Sequence, residues 1–246
     1  MNKKVNIKEL LRPYLRESSE YTQEIYVEKG ATNLQVVDEK TAVFYKMTDS
    51  SKAEDLFKSR FVNTIGCLVT NRVPSCYEGP YIVLDDEDFL KAQKQLADEL
   101  YPMNENVRIV GVTETNGKTT TVHFIRQLGL LHDLKVCTIG TLGVFLGREV
   151  VDRELNATSP SYLELRKVIH AMRERADLFA IEVSSHALDQ GRFYDLEFEG
   201  AAWTSFSQDH LDYHRTLEGY FEAKAKIFDL LKKTSRLFVS ERSQTL

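Results

Sequence analysis

Apolar positions recur along this chain at two spacings, and the switches between them outline its elements. Short runs of strand length lie at Thr41–Tyr45, Gly66–Thr70 and Tyr81–Leu84. Phe89, Ala92, Leu96 and Leu100 then recur at helical spacing, which predicts a helix over about Asp86–Leu100. Tyr101–Asn106, YPMNEN, interrupts the pattern with a proline and two asparagines and predicts a linker. Two domains are therefore expected, 1–102 and 103–246.

Beyond the linker the alternation is regular. Arg108–Val112 reads as a strand, a polar loop follows, and Val122, Ile125 and Leu128 share a helix face. Val136–Ile139 is the next strand, and Tyr162, Leu165, Ile169 and Met172 stand in register on a helix over Tyr162–Arg173. Strands at Leu178–Val183 and Ala201–Phe206, a long helix at about Leu217–Lys232 and a strand at Leu237–Ser240 complete the series. Strands alternating with helices of this length predict an α/β fold, a mainly parallel sheet covered on both faces. The expected architecture is a small N-terminal α/β domain followed by a P-loop-type, doubly wound sheet. Only six residues follow the last strand, so that sheet is expected to be partial and the chain a fragment.

Composition narrows the partners. The chain is 42% hydrophobic and 28% charged, with a net charge of −5, and its lysines and arginines are scattered, so no nucleic-acid face is expected. Cys67, Cys76 and Cys137 form no CxxC pair and lie in or beside apolar stretches, which predicts buried free thiols in a reducing cytoplasm. The N-terminal MNKKVNIKELLRPYL lacks the apolar core of a signal peptide. No run reaches the ~18 apolar residues of a membrane span. A cytoplasmic monomer without membrane partners is the expectation.

The chemistry concentrates in four places. Gly111–Thr121, GVTETNGKTTT, sits directly between a strand and a helix. That setting suits a phosphate loop over Thr113–Thr120, in which backbone N–H groups and the helix N-terminus cradle phosphate. Gly117 supplies the turn, Lys118 the cation and Thr119 a hydroxyl for Mg²⁺; a chance Gly-Lys-Thr in a turn is the alternative. Glu114 stands where the related GTxGKT form has glycine. Beside phosphates its carboxylate would repel them, and at a positive φ it would cost roughly 1–2 kcal/mol; a side chain turned to solvent avoids the first penalty.

Glu182 ends the apolar LFAIEV run, where open α/β sheets bind ligands, and would complete a Mg²⁺ shell or else cap the next helix. Ser207–His214, SQDHLDYH, follows another strand, and His210 and His214 are four apart, so zinc competes with Mg²⁺ there. Lys224 falls within the apolar stripe of Leu217, Tyr220, Phe221, Ile227, Phe228 and Leu231. Facing inward it must be paired or chemically altered, unless its stem snorkels.

Together, the loop, EVSSHALDQGR, DHLDYH and the Tyr-x-x-x-Lys helix resemble the Mur ligases, most closely the MurE type, the UDP-N-acetylmuramoyl-L-alanyl-D-glutamate:amino acid ligases. The resemblance covers about residues 80–240. The first 80 residues resemble that family's uridine-nucleotide domain weakly and lack its Asp-Ser-Arg signature. It implies that Thr115, Asn116, Gly117, Lys118, Thr119 and Thr120 hold the ATP phosphates. Thr119 and Glu182 would bind one Mg²⁺, and His210 with a carbamylated Lys224 a second. Asn156, Thr158, Ser184, Gln190 and Arg192 match positions that contact the muramoyl-dipeptide. Ala157 and Ser205 depart from the family pattern, as does Glu114. The implied reaction activates the D-glutamate carboxylate as an acyl phosphate, which the amine of diaminopimelate or lysine attacks. Lys118, Glu182, His210 and Lys224 would carry it. The family's C-terminal domain is not expected here, so the isolated chain is expected to bind nucleotide weakly without turnover. Cyanophycin- or folate-type relatives fit SSHALDQGR poorly. A non-enzymatic remnant binding a UDP-sugar or a partner protein is the other alternative.

Overall fold

The computed structural model describes residues 3–20, 24–34, 37–48, 55, 57, 64–155 and 157–240. It divides into two compact units, Met1–Pro102 and Met103–Leu246.

The first unit is built on a five-stranded sheet in the order Glu17–Ser18, Tyr81–Val83, Cys67–Thr70, Thr41–Tyr45, Lys29–Ala31, parallel except for the first strand. Cys67–Thr70 is buried throughout, as a central parallel strand covered on both faces requires. The expected helix begins later than its spacing suggested. Asp86–Asp88 is a 3-10 turn and Phe89–Leu100 the α-helix, with Phe89, Ala92, Leu96 and Leu100 buried. Cys67 and Cys137 are buried, but Cys76 is exposed on a turn between strands, contrary to the expectation that all three thiols are covered.

The second unit carries a seven-stranded sheet. We label its strands β1 (Ile109–Thr113), β2 (Val136–Gly140), β3 (Gly143–Leu146), β4 (Glu149–Asp152), β5 (Leu178–Glu182), β6 (Phe198–Trp203) and β7 (Leu231–Val239). Their order is β4-β3-β2-β5-β1-β6-β7. β2, β5, β1, β6 and β7 run parallel, and β3 and β4 add an antiparallel hairpin. The helices are α1 (Lys118–Leu131), α2 (Tyr162–Met172), α3 (Ser185–Asp189), α4 (Leu211–His214) and α5 (Leu217–Ala225).

Strand alternation divides the interior into two cores. Val112, Val136 and Ala180 face α1 through Val122. Ile109, Cys137, Ile139, Phe179 and Ile181 point to the opposite face, against Leu165, Ile169 and Met172 of α2. This is the α/β class with a mainly parallel sheet expected from the alternation. The α1 face differs in detail: Val122 is buried, but Leu128 is 56% exposed. Gly129 makes the close approach instead, since a Cβ there would strike Val136.

The long helix is also shorter than expected. α5 ends at Ala225, Lys226–Leu230 is a 3-10 segment, and β7 begins at Leu231. Pairing of Leu231 with Phe198 and of Leu237 with Ala201 draws this stretch into the sheet, overriding its helical spacing. The buried face is Tyr220, Ala223, Lys224 and Ile227, while Leu217, Phe221 and Phe228 are each about two-fifths exposed.

Candidate phosphate and metal cleft

β1 delivers the chain into the loop, and α1 starts at Lys118 behind Gly117, whose φ of +113° needs glycine. No side chain caps α1, so its first N–H groups remain available to an anion. Thr115 ties the loop to the segment after β6: its Oγ1 donates to the Ser207 carbonyl at 3.2 Å and accepts from the Ser207 N–H at 3.0 Å. Its N–H donates to the Ser205 carbonyl, and Asn116 also meets Ser205.

Glu114 is 2% exposed, so it does not turn to solvent. Nor does it carry the expected backbone penalty, because its φ is not positive. Its carboxylate lies behind the loop, 2.8 Å from where a Cβ on Gly117 would sit, and Oε1 has no hydrogen-bond partner. Burial pushes its carboxyl up to about 6, against the attraction of Lys118 and Lys224. Both lysines bind its backbone: Lys118 Nζ donates to the Glu114 carbonyl at 2.8 Å and Lys224 Nζ at 2.9 Å. Lys224, 1% exposed, also donates to Thr113 Oγ1 at 3.3 Å and lies over the Tyr220 ring. Its stem does not snorkel. Burial, then the charge of Lys118, lowers its ammonium to about 7.

Glu182 ends β5 beside β1 and is 1% exposed. It accepts from Thr119 Oγ1, Thr141 Oγ1 and the Thr141 N–H, each at 3.0 Å. It does not cap the next helix; Ser184 does that. Gly140 leaves the space, since a Cβ there would collide with the Glu182 carboxylate. The buried Ser159 hydroxyl donates to the Glu182 carbonyl at 2.8 Å and accepts from the Ser184 N–H at 3.0 Å. Arg192 donates to the Ser159 carbonyl at 2.6 Å and grips Gln190 Oε1 through two nitrogens.

His210 precedes α4 in a left-handed conformation, φ +51°, and its ring lies 4.7 Å from that of His186. His214 meets Ser185 Oγ at 2.9 Å. Burial lowers the affinity of His186 and His214 for protons and favours their neutral rings. Among the described residues no group of three or more His, Cys, Asp or Glu side chains is placed to hold a metal ion.

A cleft of about 440 Å³ opens among these elements. Of the residues singled out from the sequence, Thr115, Asn116, Gly117, Lys118, Thr119, Thr158, Glu182, Ser184, Arg192 and His210 line it. Thr113, Thr120, Gln190 and Lys224 do not line it, and Asn156 lies outside the described residues. Sequence reasoning passed over Thr141, Ser159 and His186, which also line it. Thr141 carried a usable signal, following Gly140 at the end of a predicted strand, as Glu182 does. The buried Glu182 carboxylate with the half-buried Thr119 hydroxyl beside it suits a hard cation such as Mg²⁺.

The family model of the Mur ligase middle domain matches residues 112–245. A UDP-N-acetylmuramoyl-L-alanyl-D-glutamate–2,6-diaminopimelate ligase of Oceanobacillus iheyensis is 40% identical over 148 residues, 59% of this chain and 30% of the relative. The ligase of that name from Rickettsia typhi is 32% identical over 201 residues, 80% of this chain and 40% of the relative. A solved structure of such a ligase matches 96% of this chain and 52% of its own, with a TM-score of 0.73 at 21% identity, a likeness of fold. The chain thus spans about half of that structure, and its alignments cover 30–40% of these relatives.

Proposed function

The chain belongs to the Mur ligase family, and from that premise we propose that it is part of an ATP-dependent ligase of peptidoglycan precursor synthesis. The substrate assigned is UDP-N-acetylmuramoyl-L-alanyl-D-glutamate, and the amino acid is diaminopimelate, as in the names of the relatives. The observation that carries the reading is Glu182, a buried carboxylate joined to Thr119 at 3.0 Å in front of an uncapped helix N-terminus.

In this reading Thr113, Thr115, Asn116, Gly117, Thr119 and Thr120 form the loop that receives the ATP phosphates through backbone N–H groups. Lys118 leaves the Glu114 carbonyl to meet the terminal phosphate. Thr119, Glu182, His210 and Lys224, the last as a carbamate, are the residues that would hold Mg²⁺. Bound there, Mg²⁺ would offset the charge that spreads over the transferring phosphoryl group. Thr158, Ser184, Gln190, Arg192 and Asn156 are assigned to the muramoyl-dipeptide. Arg192 suits its carboxylate, because a guanidinium presents two parallel donors. The chain's contribution is positional: it aligns the D-glutamate carboxylate with the γ-phosphate and later the acyl phosphate with the amine. A cytoplasmic location and a monomeric state accompany this assignment.

Calorimetric titration with ADP and Mg²⁺ tests it. Binding is expected in the parent and loss of at least about tenfold in affinity in Lys118→Met, with the far-ultraviolet dichroism unchanged. Equal binding by parent and variant would remove the loop from the function.

A further inference from the structure

Glu114 is a buried acid that the ligase reading does not use. It stands behind the loop rather than in the cleft wall, 2% exposed, with Oε1 unpartnered against Gly117. The charged groups that act on it are Lys118, Lys224 and Glu182, and Thr121 donates to it. Asp209 adds a further negative charge that acts on both lysines. Lys118 therefore answers to Glu114, Glu182 and Asp209, and Lys224, whose ammonium is lowered to about 7, to Glu114 and Asp209, so the loop's own positive charge is offset before any ligand arrives. A carbamate on Lys224 would make the balance negative.

We propose that Glu114 is a built-in counter-ion of the phosphate loop, which makes the cleft select phosphate ligands carrying a divalent cation over the same ligands without one. The helix N-terminus and Lys118 alone attract any polyphosphate. With Glu114 in place, a free polyphosphate meets a site of no net positive charge in which Glu182 repels it. A ligand that brings its own cation satisfies Glu182 and pays no such penalty. The orientation of Glu114 suits this role, because a side chain buried behind the loop acts by charge and leaves the cleft's volume intact. Thr121 donates to it while Oε1 has no hydrogen-bond partner, so its charge is not fully quenched by neighbouring donors. The inference rests on the phosphate-loop reading above.

The experiment measures affinity for inorganic tripolyphosphate and for ADP, each with Mg²⁺ and with EDTA, in the parent, Glu114→Gln and Glu114→Gly. Removal of the charge is expected to tighten metal-free binding by roughly tenfold or more while the Mg²⁺ complexes change by less than about threefold. The glutamine variant keeps the shape and the glycine variant empties the space, so agreement between them isolates charge from packing. The proposal is overturned if metal-free and metal-bound affinities move together, or if neither moves. Absence of all phosphate binding in all three proteins, with or without Mg²⁺, also overturns it. That last outcome alone takes the loop reading down with it.

Discussion

Glu114→Gln should make the unliganded protein more stable at alkaline pH, by an amount that follows from the site. The Glu114 carboxyl sits at about 6 in the fold against 4.5 for a free side chain, because burial outweighs the attraction of Lys118 and Lys224. Each factor of ten in proton affinity is ~1.4 kcal/mol, so the ionised group costs the folded state about 2 kcal/mol. Its folded value is the higher one. The fold therefore binds more protons than the unfolded chain between these two values, and stability is retained below about 4.5 and lost as pH rises through about 6. Glutamine keeps the neutral shape and never ionises. Melting followed by circular dichroism at pH 8 should place Glu114→Gln roughly 4–8 °C above the parent, the shift that ~2 kcal/mol gives a domain of this size. Near pH 4 the two curves should converge, since both side chains are then neutral. A gap that persists unchanged from pH 8 to pH 4 would show that packing, not charge, sets the difference, and the reasoning would fail. So would a parent more stable than the variant at pH 8.

Two further outcomes are expected. Gly140→Ala should push the Glu182 carboxylate off Thr119 and Thr141, because the added Cβ would occupy its place; titration should show Mg²⁺–ADP weakened at least about tenfold, and unaltered affinity would deny Glu182 its role. Asp195→Ala should cost about 3 kcal/mol or more in urea denaturation, because it takes the carboxylate from Arg166, a 1%-exposed guanidinium bound to Asp195 Oδ2 at 3.2 Å and Tyr162 Oη at 2.6 Å. Asp195→Asn, which tolerates the left-handed φ of +60°, should cost less, and equal losses would place the effect in the backbone instead.

The strands and the cleft were largely legible because both follow short-range rules. Apolar runs marked β1, β2, β5 and β6 to within a few residues, and the polar segments after them proved to be the cleft wall. What escaped were features decided by distant partners. The β3–β4 hairpin follows β2 almost without a break, with Gly147 and Arg148 at its turn, and its outer strand is mostly exposed, so no apolar run marks it. The end of β7 was read from Leu237–Ser240, but its start at Leu231 and Lys232 was hidden inside a helical pattern because its pairing with β6 is non-local. The stripe that singled out Lys224 was partly wrong, as Phe221 and Phe228 are well exposed, yet Lys224 itself is buried. An ionisable residue at an inward position is informative even when its neighbours are misplaced, because the energetic demand for a partner belongs to that residue alone. Glu114 showed the reverse: its identity was conspicuous, but only the fold could tell that φ is unstrained and the side chain buried.

The cleft also shows why this chemistry gathers at one edge of the sheet. Each parallel strand places alternate residues in the two cores until it leaves the ladder, and the next polar group is then free to face the crevice. Glu182 ends β5, Thr141 follows β2, Thr115 follows β1, and Ser205 and Ser207 follow β6. Four chain segments remote in sequence thereby converge without any long loop having to be ordered. Glu182 is fixed by Thr119 of the first turn of α1 and by Thr141 after β2, and Thr115 by Ser207 after β6, so the positions are cross-braced rather than independent. Loosening one brace should therefore move charge as well as geometry. The unpartnered Oε1 of Glu114 lies at the point where such a shift would be felt, with Lys118 and Lys224 both held on the carbonyl of the same residue.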